Sequence, residues 1–395
     1  MILNKRWVSL IEVFAVSLKL GFTSFGGPIA HLGYFYDEYS RRRKWLDERT
    51  YTDLVALSQF LPGPASSQVG MGIGVIRAGL LGGLVSWIGF TLPSFVILVL
   101  FAKIFHTWNL QEAGWIHGLK VVAVAIVAQA VWGLGKKLAS DQKRATIAFL
   151  ATLFTLLWQH PWSQVVIILL AGIWGMFFLK QPTTSNPSTQ TNLHIPIRRT
   201  TSISFLIAFL LLLFLLPLIR YLNPHMWTIM IDLFYRVGSF VFGGGHVVLP
   251  LLENEITSLG WINPQDFLAG YGAAQAIPGP MFTFASYLGA LTGGWTGALV
   301  ATISIFLPGF LLLMGVLPFW NSWRKHPKFQ GALHGVNAAV VGILLAALYD
   351  PLFTQTIHTP MDFSLALFLF GLHSIWKLPA WTIVLIGALG SSLLG

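Results

Sequence analysis

Apolar residues run along this chain in long blocks, separated by short polar stretches. Uninterrupted blocks cover roughly 79–102, 115–135, 145–159, 162–179, 201–219, 294–318, 329–349, 363–376 and 378–394. About 20 apolar residues suffice for a helix to cross a bilayer. Ahead of these blocks, each half of the chain carries two further apolar segments broken by Gly or Pro. The breaks fall at Phe25-Gly26-Gly27 and Pro62-Gly63-Pro64, then at Phe242-Gly243-Gly244 and Pro278-Gly279-Pro280. The longest stretch without a charged residue, 267–323, has 57 residues. This pattern predicts an all-α polytopic membrane protein.

The landmarks repeat in order at a nearly constant offset, which is the signature of a duplicated unit. Phe25-Gly26-Gly27 returns 217 residues later, Gln59 with Pro62-Gly63-Pro64 returns 216 later as Gln275 with Pro278-Gly279-Pro280, and Trp45 matches Trp261. Gly79, Gly82 and Pro93-x-Phe95 return 215 later, and His117-Gly118 returns 217 later. The predicted organisation is a first repeat over 1–180, a Pro-, Ser-, Thr- and Asn-rich hydrophilic linker over 181–200, a connecting transmembrane helix over 201–222, and a second repeat over 223–395. One extra crossing between two units that each cross an even number of times inverts them, as in many secondary transporters.

Composition sharpens the class. Charged residues make up only 10% of the chain, against roughly 25% in soluble domains, while apolar residues reach 55%. An ordinary soluble enzyme is excluded. The net charge of +10 is read by position, because basic residues gather in cytoplasmic loops, and it does not indicate nucleic-acid binding. There are no cysteines, so disulfides, thiolate metal sites and thiol catalysis are excluded. Lys5-Arg6 before an apolar run imitates a signal peptide, but no small-residue cleavage site follows, so this segment is expected in the mature structure.

The charges also bear on topology. If all thirteen segments span, the loops hold 14 basic residues on one side and 7 on the other. If the two broken segments of each half are re-entrant hairpins, 19 fall inside and only Lys103 and Arg220 outside. Matching loops then carry opposite charge, Arg41, Arg42 and Arg43 against Glu253, Glu255 and Asp266. Nine spans plus four hairpins, with the N-terminus inside and the C-terminus outside, is therefore favoured over thirteen spans.

Candidate chemistry lies at the breaks, since irregular backbone at membrane depth is tolerated where protein covers it or it lines an aqueous cavity. After Pro62-Gly63-Pro64 a helix restarts, leaving free amides near Ser66 and Ser67, which suits an anion. The second copy places Met281, Phe282 and Thr283 there and is less polar. Gly26, Gly27, Gly243 and Gly244 permit close approach, either for a ligand or for helix packing. Lys19 and Arg236 occupy one repeat position, and Lys120 is the third basic group inside a predicted segment. Each is a candidate anion-binding residue. The competing reading pairs Lys19 with Glu12, and Arg236 with Asp232 at i, i+4 spacing. His31 and His246 are candidate proton sites, whereas His117 and His334 read as interfacial structure. No metal-ligand spacing or ATP-binding loop occurs, and no cofactor is expected.

GFTSFGGPIAHLGYFYDEY, KWLDERTYTDLVALSQFLPGPASSQVGMGIG, GSFVFGGGHVVLPLLE and GYGAAQAIPGP together resemble the chromate ion transporter family, in its long form with two fused halves. The resemblance spans the chain apart from 181–200. It implies a multi-pass protein of the bacterial inner membrane that expels chromate, driven by the electrochemical gradient and conferring chromate resistance, with sulfate as a mimic. A tetrahedral dianion calls for convergent N–H donors, hydroxyls and one or two cations. Gln59, Pro62, Gly63, Pro64, Ser66, Ser67, Gln275, Pro278, Gly279, Pro280 and Thr283, with Lys19 and Arg236, could frame such a site. The rival functions are a sulfate or other oxyanion transporter and, in another class, a membrane-embedded enzyme or lipid-handling protein. The expected partners are the anion and the bilayer, with a homodimer the expected form of any oligomer.

Overall fold

The computed structural model describes residues 2–107, 114–158, 163–179, 197–241, 248–320 and 326–394. The first half comprises α1 (Ile2–Thr23), α2 (Gly27–Phe35, continuing as a π-helical stretch over Tyr36–Arg42), α3 (Glu48–Phe60), α4 (Ala65–Thr107), α5 (Gly114–Leu138), α6 (Gln142–Leu157) and α7 (Ser163–Phe178). After α8 (Arg199–Leu222) come α9 (Met226–Phe240), α10 (Val248–Ser258), α11 (Pro264–Ala276), α12 (Phe284–Val316), α13 (Pro327–Ala347), α14 (Pro360–Ser374) and α15 (Ala380–Leu394). No strand occurs among the described residues.

Local chemistry sets the boundaries identically in both halves. Asp47 caps α3 by accepting from the Thr50 amide, and Asn263 caps α11 by accepting from the Asp266 amide, each offsetting an otherwise unpaired first-turn donor. Both helices stop two residues before a Pro-Gly-Pro, because proline restricts the residue ahead of it and lacks a donor. Both long helices then break at one place. Ala78-Gly79 (φ −140° and 72°) and Gly293-Gly294 (φ −139° and 60°) turn the chain back on itself. Glycines let the two arms touch: a Cβ on Gly74 would strike the Gly82 carbonyl, and one on Gly289 the Gly297 carbonyl. Across the first turn Ser86 Oγ donates to the Gly70 carbonyl at 2.9 Å.

The arms that follow these turns pack against each other at the centre of the molecule. Gly83 lies beside Met314, Trp87 beside Phe306 and Phe95 beside Trp295. Numbers rise along α4 as they fall along α12, so these matching helices run antiparallel. The halves interlock further out through small residues: α5 meets α15 at Gly118 and Gly387, and α13 meets α7 at Gly335 and Ala171.

Five helical stretches among the described residues are long and apolar enough to cross a membrane: Ala65–Phe105, Gly114–Leu138, Arg199–Leu222, Met281–Phe319 and Pro327–Thr356. With Leu210, Leu211, Phe214 and Leu218 exposed on α8, the chain is an all-α polytopic membrane protein. The segments expected at 145–159, 162–179, 363–376 and 378–394 form helices of 16, 16, 15 and 15 residues, shorter than a standard crossing of about 20.

Candidate functional site

Both Pro-Gly-Pro tips end beside the middle of the opposite half's long helix. Each is tied to the residue just before the other half's Phe-Gly-Gly break. Gly63 N–H donates to the Val241 carbonyl at 2.7 Å, and Gly279 N–H donates to the Ser24 carbonyl at 3.0 Å. Ser24 and Val241 are 217 residues apart, so one contact is made twice with the halves exchanged. Gly63 (φ 112°) and Gly279 (φ 104°) are left-handed, a conformation glycine adopts without steric cost. A Cβ on Gly63 would lie 3.2 Å from Gly309 Cα, and one on Gly279 2.8 Å from Ser94 Oγ. α1 reaches the same level, Gly21 packing on Phe90 and Pro93, while Gly238 of α9 packs on Ile305 and Pro308. The breaks therefore converge on one central region.

The two tips differ chemically. Behind Pro64, helix α4 begins directly, and among the described residues the amides of Ala65, Ser66 and Ser67 carry no hydrogen bond; the first backbone bond is Gln68 N–H to the Pro64 carbonyl. Among the described residues, Ser67 Oγ and Gln68 Oε1 are buried without partners at this tip, whereas the unpaired Ser24 Oγ and Thr91 Oγ1 lie on the side of Gly279. Gln68 Nε2 donates to the Pro62 and Gly309 carbonyls at 2.9 and 3.2 Å, joining the halves. Ser66 Oγ lies 3.3 Å from Nδ1 of His31, a buried ring set edge-on to Phe90. An unpaired buried polar atom costs roughly 1–3 kcal/mol, so these two beside the open amides mark a place that a polar ligand would complete.

At the second tip those groups are already engaged. A 3₁₀ turn over Met281–Thr283 intervenes before α12. Thr283 donates to the Pro280 carbonyl through both its amide, at 3.0 Å, and its hydroxyl. Ser286 Oγ donates to the Thr283 carbonyl at 2.7 Å, and Gln275 is buried, with its Nε2 4.0 Å from Met281 Sδ. Its counterpart Gln59 is exposed.

Lys19 and Arg236 sit in equivalent ion pairs. Lys19 Nζ is 3.0 Å from Glu38 Oε2, and Arg236 Nη1 is 2.7 Å from Glu255 Oε1. Both pairs span 19 residues and tie the helix before the Phe-Gly-Gly break to the helix after it. Arg236 also meets Asp232 at 2.9 Å, the i, i+4 contact weighed from spacing, and Arg220 of α8 joins the same carboxylates. Glu12 binds Arg43 and Arg77 rather than Lys19. The first-half cluster holds four cations (Lys19, Arg42, Arg43, Arg77) against three acids (Glu12, Asp37, Glu38), whereas the second holds Arg220 and Arg236 against Asp232 and Glu255.

Other candidates fall elsewhere. Lys120 is buried in α5 and donates to Gln265 Oε1 at the start of α11, away from both tips. His117 Nε2 lies 2.7 Å from Asp362 Oδ1. Gly26 is left-handed and exposed and Gly27 partly so; Gly243, Gly244 and His246 lie outside the described residues. Among the described residues no three His, Asp or Glu gather to hold a metal. Sequence reasoning missed Glu38, Glu255, Ser24, Gln68 and Ser94. The two acids had a legible signal, an equal spacing from a basic residue in both halves; the other three become notable only once the tips cross.

Comparison with known proteins gives the same pattern of two halves. A family model described as "Chromate transporter" matches residues 11–176 and again 227–391. A probable chromate transport protein of Synechococcus elongatus is 28% identical, over 94% of this chain and 91% of its own length. A chromate transport protein of Pseudomonas aeruginosa is 24% identical over 87% and 81%. An uncharacterized transporter of Methanocaldococcus jannaschii is 27% identical over 86% and 83%. No solved structure matches the chain. With the same family signature covering both interlocked halves, the chain belongs to the chromate transporter family.

Proposed function

We propose that this chain is a secondary transporter that exports chromate across the cell inner membrane, with the anion held at the first Pro-Gly-Pro tip. The observation that carries this reading is the set of open donors there: three free first-turn amides of α4 beside the unpartnered Ser67 hydroxyl. Helix N-termini favour anions through these amides and the helix dipole. Chromate is drawn from the named relatives, and the donor set suits any tetrahedral oxyanion of that charge. Lys19, half exposed beside the break, adds positive potential, and His31, in contact with Ser66, is the proposed proton site.

The re-entrant, inverted arrangement is part of the proposal. Tips that stop beside the middle of antiparallel helices fit hairpins entering from opposite faces, as in transporters with broken helices. An inside-negative potential then favours outward movement of a dianion by about 4.6 kcal/mol per 100 mV, at 2.3 for each charge.

Purified protein in liposomes with an imposed potassium-diffusion potential tests this. Labelled chromate leaving the negative compartment faster than from empty vesicles, and slowed by excess sulfate, is the expected result. Flux equal to that of empty vesicles at every potential would end the proposal.

A further inference from the structure

A cavity of about 320 Å³ opens where α4 ends against the turn of α12. Its lining includes Val99, Ala102, Leu291 and Trp295, with Lys103 and Thr107 along one edge. Lys103 is exposed, and among the described residues its ammonium makes no hydrogen bond or ion pair. Trp295 is 49% exposed, and the neighbouring α4 face presents Leu92, Val96 and Leu100 outward. The floor is closed toward the protein centre by the packed cluster of Phe95, Val99 and Ala298, with Ala290 against it. None of its lining residues belongs to either tip.

Repeat symmetry relates this region to a face that another helix covers. In the second half, α8 covers the equivalent face of α12: Ser202 Oγ donates to the Met314 carbonyl at 3.0 Å, Phe205 meets Phe310 edge-on at 6.1 Å, and Leu206 packs on Gly315. The residues 215 positions earlier are Phe95, Val99 and Leu100. Of those, Phe95 and Val99 are packed against Ala298 and Leu100 faces outward.

From the unpaired cation above apolar walls, we infer that this groove binds one anionic phospholipid, its acyl chains along Val99, Ala102 and Leu291 and its phosphate on Lys103. Lysine at a membrane interface extends its ammonium toward headgroups while its stem stays on apolar surface. Tryptophan favours the same level, and anionic headgroups attract juxtamembrane basic residues. A free anion would gain nothing from the apolar walls, and a zwitterionic lipid would bring its own cation to Lys103.

Native mass spectrometry of the intact protein, solubilised with either phosphatidylglycerol or phosphatidylcholine, tests this. The expected result is one retained phosphatidylglycerol, its occupancy reduced at least about fivefold by Lys103→Gln and unchanged by Lys137→Gln, with both variants monodisperse. Equal retention in Lys103→Gln, equal retention of phosphatidylcholine, displacement by millimolar inorganic phosphate, or a co-purifying protein chain in place of lipid would each overturn the assignment.

Discussion

Lys19 and Arg236 occupy one repeat position, yet their removal should have very different effects. The Arg236 side chain is 7% exposed and holds Asp232 and Glu255, themselves 2% and 11% exposed. Arg236→Met leaves two carboxylates to Arg220 alone, which reaches Asp232 at 3.0 Å and Glu255 at only 3.8 Å. Stranding a buried charge costs about 3–5 kcal/mol, comparable with a large part of the stability of a typical fold. The Lys19 side chain is 52% exposed, and without it Glu38 keeps Arg43 at 2.9 Å and Arg42 at 3.8 Å. Exposed pairs of that kind contribute about 0–1 kcal/mol.

Heating detergent-solubilised protein and following the monodisperse peak by size exclusion gives the comparison. Arg236→Met should lose most of its folded material at temperatures that leave Lys19→Met close to wild type. Adding Asp232→Asn and Glu255→Gln to Arg236→Met should restore folding, because removing all the buried charges together removes the penalty. Equal stability of the two single variants would refute the reasoning. A restored triple variant that folds and still carries chromate would show that Arg236 acts by bracing the fold.

Further outcomes follow from the tips and the packing. Gly63→Ala and Gly279→Ala combine a left-handed backbone, disfavoured by roughly 1–2 kcal/mol for other residues, with close contacts to Gly309 and Ser94, so both should lower thermal stability as well as flux. Ser67→Ala removes a hydroxyl that has no partner and should leave stability unchanged while reducing chromate flux at least about tenfold; unchanged flux would count against the first tip. Thr283→Val removes a hydroxyl bonded to its own turn and should destabilise by about 1 kcal/mol, with flux falling less than twofold. Single cysteines at Asp47 and Asn263, the exposed caps of α3 and α11, should label from opposite sides of the membrane, and labelling from one side would contradict the inversion.

Much of the helical fold was legible because glycine and proline are punctuation that any sequence displays. Pro62 and Pro278 end α3 and α11, and Gly79 and Gly294 turn α4 and α12. Repeated landmarks likewise marked two units, because duplication preserves spacing. What lay beyond reach was the partner of each landmark. Nothing local to Gly63 says that its amide meets Val241, since that contact depends on how two halves dock. Lys19 and Arg236 stood out as costly charges, and i, i+4 spacing found Asp232 for Arg236. Glu38 and Glu255, however, lie 19 residues on, across a break that helix periodicity does not bridge; only their equal spacing in both halves hints at them. The Ser66 and Ser67 contrast with Phe282 and Thr283 was visible as composition. Its meaning, an open set of donors against a closed one, required the hydrogen bonds.

Equilibrium binding of labelled chromate to purified protein bears most directly on the claim that the anion sits at the first tip. One chromate per chain is expected, competed by sulfate, lost in the Ser66→Ala/Ser67→Ala double variant and kept in Thr283→Val. Two chromates per chain, or one that survives loss of both serines, would contradict it.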